Sequence, residues 1–208
     1  MTRQTAARPS RKRPDRYHHG DLRHALIQAV LRTIQKAGVD AVTLRGVGED
    51  LGVSRTALYR HFTDKSALLG AVACEGFRAL RLALVAGWDD TGRGLPGFEA
   101  MGMAYVRFAL DNPSYYRVMF GGAVLRPPPD PELAREGAAA FQALVDALVS
   151  LQAAGEVRQD DPLLLAEFIW AIVHGVAMLA IDARLPPEQD IEALTRFALA
   201  RIRTGIAA

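Results

Sequence analysis

Apolar residues recur at helical spacing along most of the chain, and this period limits the possible folds more than any other feature. From Asp21 onward, Leu22, Ala25, Leu26, Ala29, Val30, Ile34 and Ala37 mark one face of an amphipathic helix, and Gly38 is placed to end it. A second run, Leu68, Leu69, Val72, Phe77, Leu80 and Leu84, predicts a long helix from Asp64 to about Ala86. Further helices are expected at about 98–111, 113–120, 132–154, 162–183 and 188–203. Nowhere does an apolar/polar alternation lie between hairpin turns, so the fold class is all-α, with about nine helices. The breaker-rich stretches 87–97 and 121–131 read as connections, the second stiffened by Pro127, Pro128, Pro129 and Pro131.

Between the first two long helices lie two short ones. Thr43 is placed to cap a helix carrying Leu44, Val47 and Leu51; Gly52 breaks the chain; Ser54 then caps a helix from Arg55 to His61. Two short helices around a Gly-containing turn make a helix-turn-helix, in which the first helix buttresses the second. Leu44, Val47, Leu51, Val53 and Leu58 form the expected inward face, leaving Ser54, Arg55, Thr56, Tyr59 and Arg60 outside. An arginine there can pair with guanine O6 and N7, and Thr56 can touch a thymine methyl or a base edge. Tyr59, His61 and Lys65 suit phosphate oxygens, which position a protein without reading sequence.

Charge supports a polyanionic partner. Residues 1–65 carry 13 Lys and Arg against 6 Asp and Glu, a net +7, whereas residues 66–208 carry 12 against 17, a net −5. Residues 1–16 read as a disordered basic arm, with Pro9 and Pro14 opposing helix and no apolar core of the kind a secretory signal needs. The longest apolar run, Leu163 to Ile181, contains Glu167 and His174. Its charge-free part is 14 residues, the length of a core helix rather than a membrane span. One cysteine, Cys74, cannot form an internal disulfide, and the expected location is cytoplasmic.

The residues of 17–77 resemble the DNA-binding domain of the TetR family of transcriptional regulators. The resemblance is carried by His18-His19-Gly20-Asp21-Leu22-Arg23, Ala37-Gly38, Thr43-Leu44-Arg45, Leu51-Gly52-Val53-Ser54, Leu58-Tyr59-Arg60-His61-Phe62 and Asp64-Lys65-Ser66-Ala67-Leu68-Leu69. It implies that Ser54, Arg55, Thr56 and Ala57 approach bases and that Thr43, Tyr59, His61 and Lys65 hold phosphates. Arg45 and Arg60 join them as candidate DNA-binding residues. Gly46-Val47-Gly48 departs from the family pattern, and two glycines soften a short helix by roughly 1 kcal/mol each relative to alanine.

The remainder, 66–208, is expected to bind an effector and to dimerise, with 17–65 as the DNA-binding domain. Aromatic and Met side chains at helical spacing are usually core, but they also line apolar pockets. Phe77, Tyr105, Phe108, Tyr115, Tyr116, Met119, Phe141, Trp170, His174 and Met178 are the candidate pocket residues. Trp170-Ala-Ile-Val-His174-Gly175 resembles the Trp-x-x-x-His-Gly signature of a TetR subgroup named for its WHG domain, and Asn112-Pro113-Ser114-Tyr115-Tyr116-Arg117-Val118-Met119-Phe120 resembles the same subgroup. His174 is read first as a buried imidazole with both nitrogens satisfied, and second as a ligand contact. The resemblance implies that the last two helices of two subunits form a four-helix bundle. Gly175, Ala177 and Ala180 would allow close approach, and Leu194, Phe197, Ala198 and Ile202 would supply an apolar stripe.

No Walker loop, no GxGxxG after a strand and no GxSxG is present. Cys74 beside Glu75 does not favour a thiolate, and His18, His19 and His24 lack partners at metal spacing. The reading is a non-enzymatic regulator without cofactor or metal. It would be a homodimer on a double-stranded, pseudo-palindromic operator, released by a small and mainly apolar effector. A repressor is expected; an activator, or an architectural DNA-binding protein without effector, is the alternative.

Overall fold

The computed structural model describes residues 19–122 and 130–207. The basic arm expected over 1–16, His18 and most of the Pro-rich connection lie outside the described residues. Among those described there are nine α-helices in chain order: α1 (His19–Ala37), α2 (Leu44–Asp50), α3 (Arg55–His61), α4 (Lys65–Asp90), α5 (Gly94–Asp111), α6 (Pro113–Phe120), α7 (Pro131–Ala153), α8 (Pro162–Ile181) and α9 (Ile191–Ile206). A single 3-10 turn, Val39–Ala41, follows α1. The architecture is all-α, as the periodicity predicts.

Short polar side chains start most of these helices. Thr43, Ser54, Asp64, Asp130, Asp161 and Asp190 each accept a backbone N–H from the first turn of the helix they precede. Each such cap contributes about 1 kcal/mol by satisfying a donor that the helix itself cannot. Asp64 and the later caps also place negative charge at the positive end of the helix dipole.

The first three helices bury a core of their own. Leu26, Ile27 and Val30 of α1, Val47 of α2 and Leu58 of α3 are all but inaccessible, and Phe62 and Leu68 close the cluster. Gly52 at φ +63° makes the turn between α2 and α3, a conformation that other residues rarely adopt. The two glycines of α2 do not prevent it from forming. A Cβ at Gly48 would meet Leu58 and Val53 at 3.7–3.8 Å, ordinary contact distance, so the position has room for alanine. Gly48→Ala is expected to stabilise the protein by about 0.5–1 kcal/mol, read as a rise in urea midpoint with unchanged slope.

Helix α4 joins this head to everything else. Its 26 residues span about 39 Å. Its first turns pack on α1, and its remainder lies against α5, α6 and α7. The connection expected over 87–97 is corrected: α4 runs to Asp90 and α5 starts at Gly94, leaving three residues between them. Gly87 and Gly97 lie inside the helices, where the two backbones come close together. A Cβ at Gly87 would sit 3.0 Å from the Ala100 carbonyl oxygen, and one at Gly97 would sit 2.8 Å from that of Trp88. These glycines let two backbones touch; they do not break the helices.

Helix α8 packs against α5, α7 and α9. By length and composition it is apolar enough to cross a membrane, yet one of its faces, Leu165, Ala166, Ile169, Val173 and Ala177, is buried within the chain. Leu163, Leu164, Phe168 and Leu179 are exposed, as is Phe197 of α9. Within the chain α8 is therefore buried on one side only, and its opposite apolar face is uncovered.

Candidate nucleic-acid interface and ligand cavity

Helix α3 stands out from the head with its N-terminus free. Ser54, Arg55, Thr56, Tyr59 and Arg60 are all exposed, as are Thr43 and Arg45 at the start of α2, while Ala57, His61 and Lys65 are partly covered. The caps fix how two of these can act. Thr43 Oγ1 accepts from Gly46 N at 3.0 Å and Ser54 Oγ from Ala57 N at 3.2 Å. Each hydroxyl keeps its own proton to donate outward.

The cations differ in what already holds them. Arg45 is paired with Glu49 at 2.7 Å across one helical turn, and Lys65 Nζ donates to the Asp40 carbonyl at 3.1 Å, tying α4 to the turn after α1. Arg55 and Arg60 make no ion pair among the described residues. The Arg55 guanidinium lies 5.8 Å from the Tyr59 ring centre, a cation–π distance that aligns the two side chains on one face. The His61 ring lies against Phe62.

A cavity of about 450 Å³ lies between α4, α5, α6, α7, α8 and α9. Of the candidate pocket residues, Phe77, Tyr105, Met119, Phe141, Trp170 and His174 line it. Four do not. Tyr116 is fully buried in the layer behind the wall, and Tyr115 is turned to another side of α6, its hydroxyl donating to Glu75 at 3.3 Å. The packing of α6 turns these two neighbouring phenols to different partners, Glu75 for Tyr115 and His174 for Tyr116. Phe108 is buried towards a surface groove beside Asn112 and Glu192. Met178 lies one turn beyond His174, past the lining residues.

The remaining lining includes Leu80, Leu84, Phe98, Met101, Phe120, Leu144, Ile169, Val173 and Leu199, with Gly102, Gly137 and Ala140. The aliphatic members carry no sequence signal that separates wall from core. Gly137 is more informative: a Cβ there would still stand 3.9 Å from Phe77, so the glycine leaves volume open.

One polar cluster interrupts the apolar lining. Trp170 Nε1 donates to the Tyr105 hydroxyl at 3.0 Å; the Tyr105 and Tyr116 hydroxyls are 2.9 Å apart; both reach His174 Nδ1, at 3.0 and 2.7 Å. Phe120 sets its ring edge-on to His174 at 4.7 Å, and the Tyr116 ring stacks on it at 5.5 Å. Burial pushes the Tyr105 phenol up to about 12 and that of Tyr116 higher still, so both keep their protons. Burial also lowers the His174 imidazole, which favours its neutral form. His174 is only half buried, and its Nε2 has no partner among the described residues. The expectation that both nitrogens are satisfied therefore fails for one of them.

Cys74 is buried in α4, and desolvation pushes its thiol up to about 11, which disfavours the thiolate. Glu75 beside it accepts from Tyr115 and pairs with Arg23 of α1 at 3.6 Å, so the α6 wall, α4 and the head meet at one carboxylate.

Comparison with known proteins gives a consistent picture. The family model described as bacterial regulatory proteins, tetR family, matches residues 26–72. The model described as tetracyclin repressor-like, C-terminal domain, matches residues 98–202, half of the chain. The class A tetracycline repressor from transposon 1721 of Escherichia coli is 46% identical over 50 residues, 24% of this chain and 23% of that protein. The match to such curated relatives thus spans about a quarter of their length. Among solved structures, a protein of unknown function from Rhodococcus sp. RHA1 superposes with a TM-score of 0.84 at 31% identity, covering 95% of this chain and 100% of that one. The TetR family transcriptional regulator PfmR from Thermus thermophilus superposes at 0.69 with 18% identity over 88% and 99%, a likeness of fold alone.

Proposed function

The chain belongs to the TetR family of bacterial regulatory proteins, and from that premise we propose that it is a homodimeric, DNA-binding repressor released from its operator by a small, mainly apolar effector. The observation that carries this reading is the course of α4. Leu68, Leu69 and Val72 near its start are buried with the head, while Phe77, Leu80 and Leu84 further along form the cavity wall. A molecule that fills the cavity must press on the same rigid element that carries the reading helix. Release then requires only that the effector bind more tightly to the orientation of α4 that does not fit DNA.

In this reading Ser54, Arg55, Thr56 and Ala57 approach base edges, and Thr43, Arg45, Tyr59, Arg60, His61 and Lys65 hold the phosphate backbone. Arg45 and Lys65 would do so while exchanging or sharing their present partners. The exposed apolar side chains of α8 and α9 would pair with their own copies across a two-fold axis, as an isologous interface requires. Two heads so related read half-sites about one DNA turn apart or slightly more. The reading includes no cofactor, and the expected setting is the cytoplasm.

Selection of bound sequences from random DNA at near-physiological salt tests the reading. An enriched pseudo-palindrome is the expected result. Binding without enrichment, lost as salt rises, would favour the architectural alternative.

A further inference from the structure

The polar cluster at the cavity wall has a proton count that can be closed. The Trp170 indole can only donate, and it donates to the Tyr105 oxygen. With Nδ1 of His174 bare, Tyr105 donates to Tyr116 and Tyr116 donates to Nδ1, its shortest contact at 2.7 Å. Every donor that faces into the cluster then has an acceptor. With a proton on Nδ1, that proton must go to a phenol oxygen, and one of the two phenol protons is left facing other donors in a buried site. An unmet buried donor is disfavoured. The balanced arrangement leaves the imidazole proton on Nε2, the nitrogen with no partner among the described residues, on a ring that lines the cavity.

No Asp, Glu, Lys or Arg lines that cavity. We propose that it takes an uncharged, largely apolar molecule with a single hydrogen-bond acceptor, a ketone or ester oxygen, held by the Nε2–H of His174. This rests on the reading of the cavity as the effector site and narrows the effector to a chemical class. A carboxylate would need a buried cation, and protonating His174 to supply one would set Nδ1–H against the two phenol protons. An ammonium would find no carboxylate in the lining, and the Nε2–H of His174 would meet it as a second donor. An alkane would leave Nε2–H unmet in an apolar space.

Four probes of one chain length separate these cases: 2-decanone, decane, decanoic acid and decylamine, at pH 7.5. Binding is read by Trp fluorescence and by the shift in melting temperature. The ketone is expected to bind about tenfold more tightly than decane, the worth of one added hydrogen bond. It should exceed both charged probes by at least as much. In His174→Leu the ketone and decane should bind alike, with decane binding retained as evidence of an intact cavity. Tyr116→Phe leaves Tyr105 within 3.0 Å of Nδ1 to donate in its place, so that variant should keep the ketone preference.

A charged probe that matches the ketone would overturn the inference and leave the effector-site reading standing. So would a ketone no tighter than decane, or a preference that survives His174→Leu. If none of the four binds while the protein still binds DNA, the inference and the effector-site reading fall together.

Discussion

A chain carrying Phe168→Glu and Phe197→Glu is expected to stay folded, to sediment as a monomer and to bind its operator about 100-fold more weakly than the parent. Both rings are more than half exposed, at 52% and 59%, so the substitutions open no void within the chain. They lie beside one groove between α8 and α9, together with Leu165, Ile172 and Leu194. Carboxylates placed opposite their own copies across a two-fold axis would be buried as like charges, which pairing cannot tolerate. Each head would then bind alone. The gain from linking two heads, commonly about 100- to 10,000-fold, would be lost without any change in the DNA-facing residues. Sedimentation velocity and operator titration on the same sample check both halves of the expectation. A variant that remains dimeric would move the interface elsewhere.

Reversing the charge of Arg55 and Arg60 together is expected to cost about 1,000-fold or more in operator affinity at near-physiological salt. The two guanidinium groups are exposed on α3 and make no ion pair among the described residues, so little within the protein competes for them. Glutamate at each position adds repulsion from the phosphates to the loss of a contact, and does so twice in a dimer. Folding should be unaffected, since neither side chain contributes to the head core. Single substitutions divide their roles. Arg55→Ala should relax preference at one base position, while Arg60→Ala should weaken all sequences alike and flatten the dependence on salt. If Arg55→Ala weakens all sequences equally, Arg55 holds phosphate. The double reversal is read by fluorescence anisotropy, and unchanged affinity would remove α3 from the interface.

The helix starts were legible because the chemistry that begins a helix is local. Thr43 and Ser54 could be named as caps from their position before an apolar face, and each accepts the hydrogen bond that role requires. Gly87 and Gly97 read as breakers in the sequence because glycine serves two ends. It breaks helices, and it lets two of them touch; only the partner backbone, far away in sequence, decides between these. The cavity was half legible. Trp170 and His174, four residues apart, were bound to share a face. That Tyr105 would reach them from α5 across 65 and 69 residues was not written in any local pattern. Tyr115 and Tyr116 looked equivalent as neighbouring phenols, yet one meets Glu75 and the other His174, because their directions on α6 differ and the packing of α6 chooses between them. The aliphatic lining was illegible for the same reason: a leucine in a wall and a leucine in a core present the same period.

The measurement closest to the central claim is operator affinity as a function of cavity occupancy. A labelled operator, recovered by selection, is bound by the dimer and titrated with 2-decanone while anisotropy reports DNA and Trp fluorescence reports the cavity. If α4 links the two sites, filling the cavity releases DNA, and saturating DNA weakens the ligand by the same factor. Should the ligand fill the cavity while operator affinity stays constant, head and cavity would be energetically independent, and the proposed effector-released repressor would be contradicted.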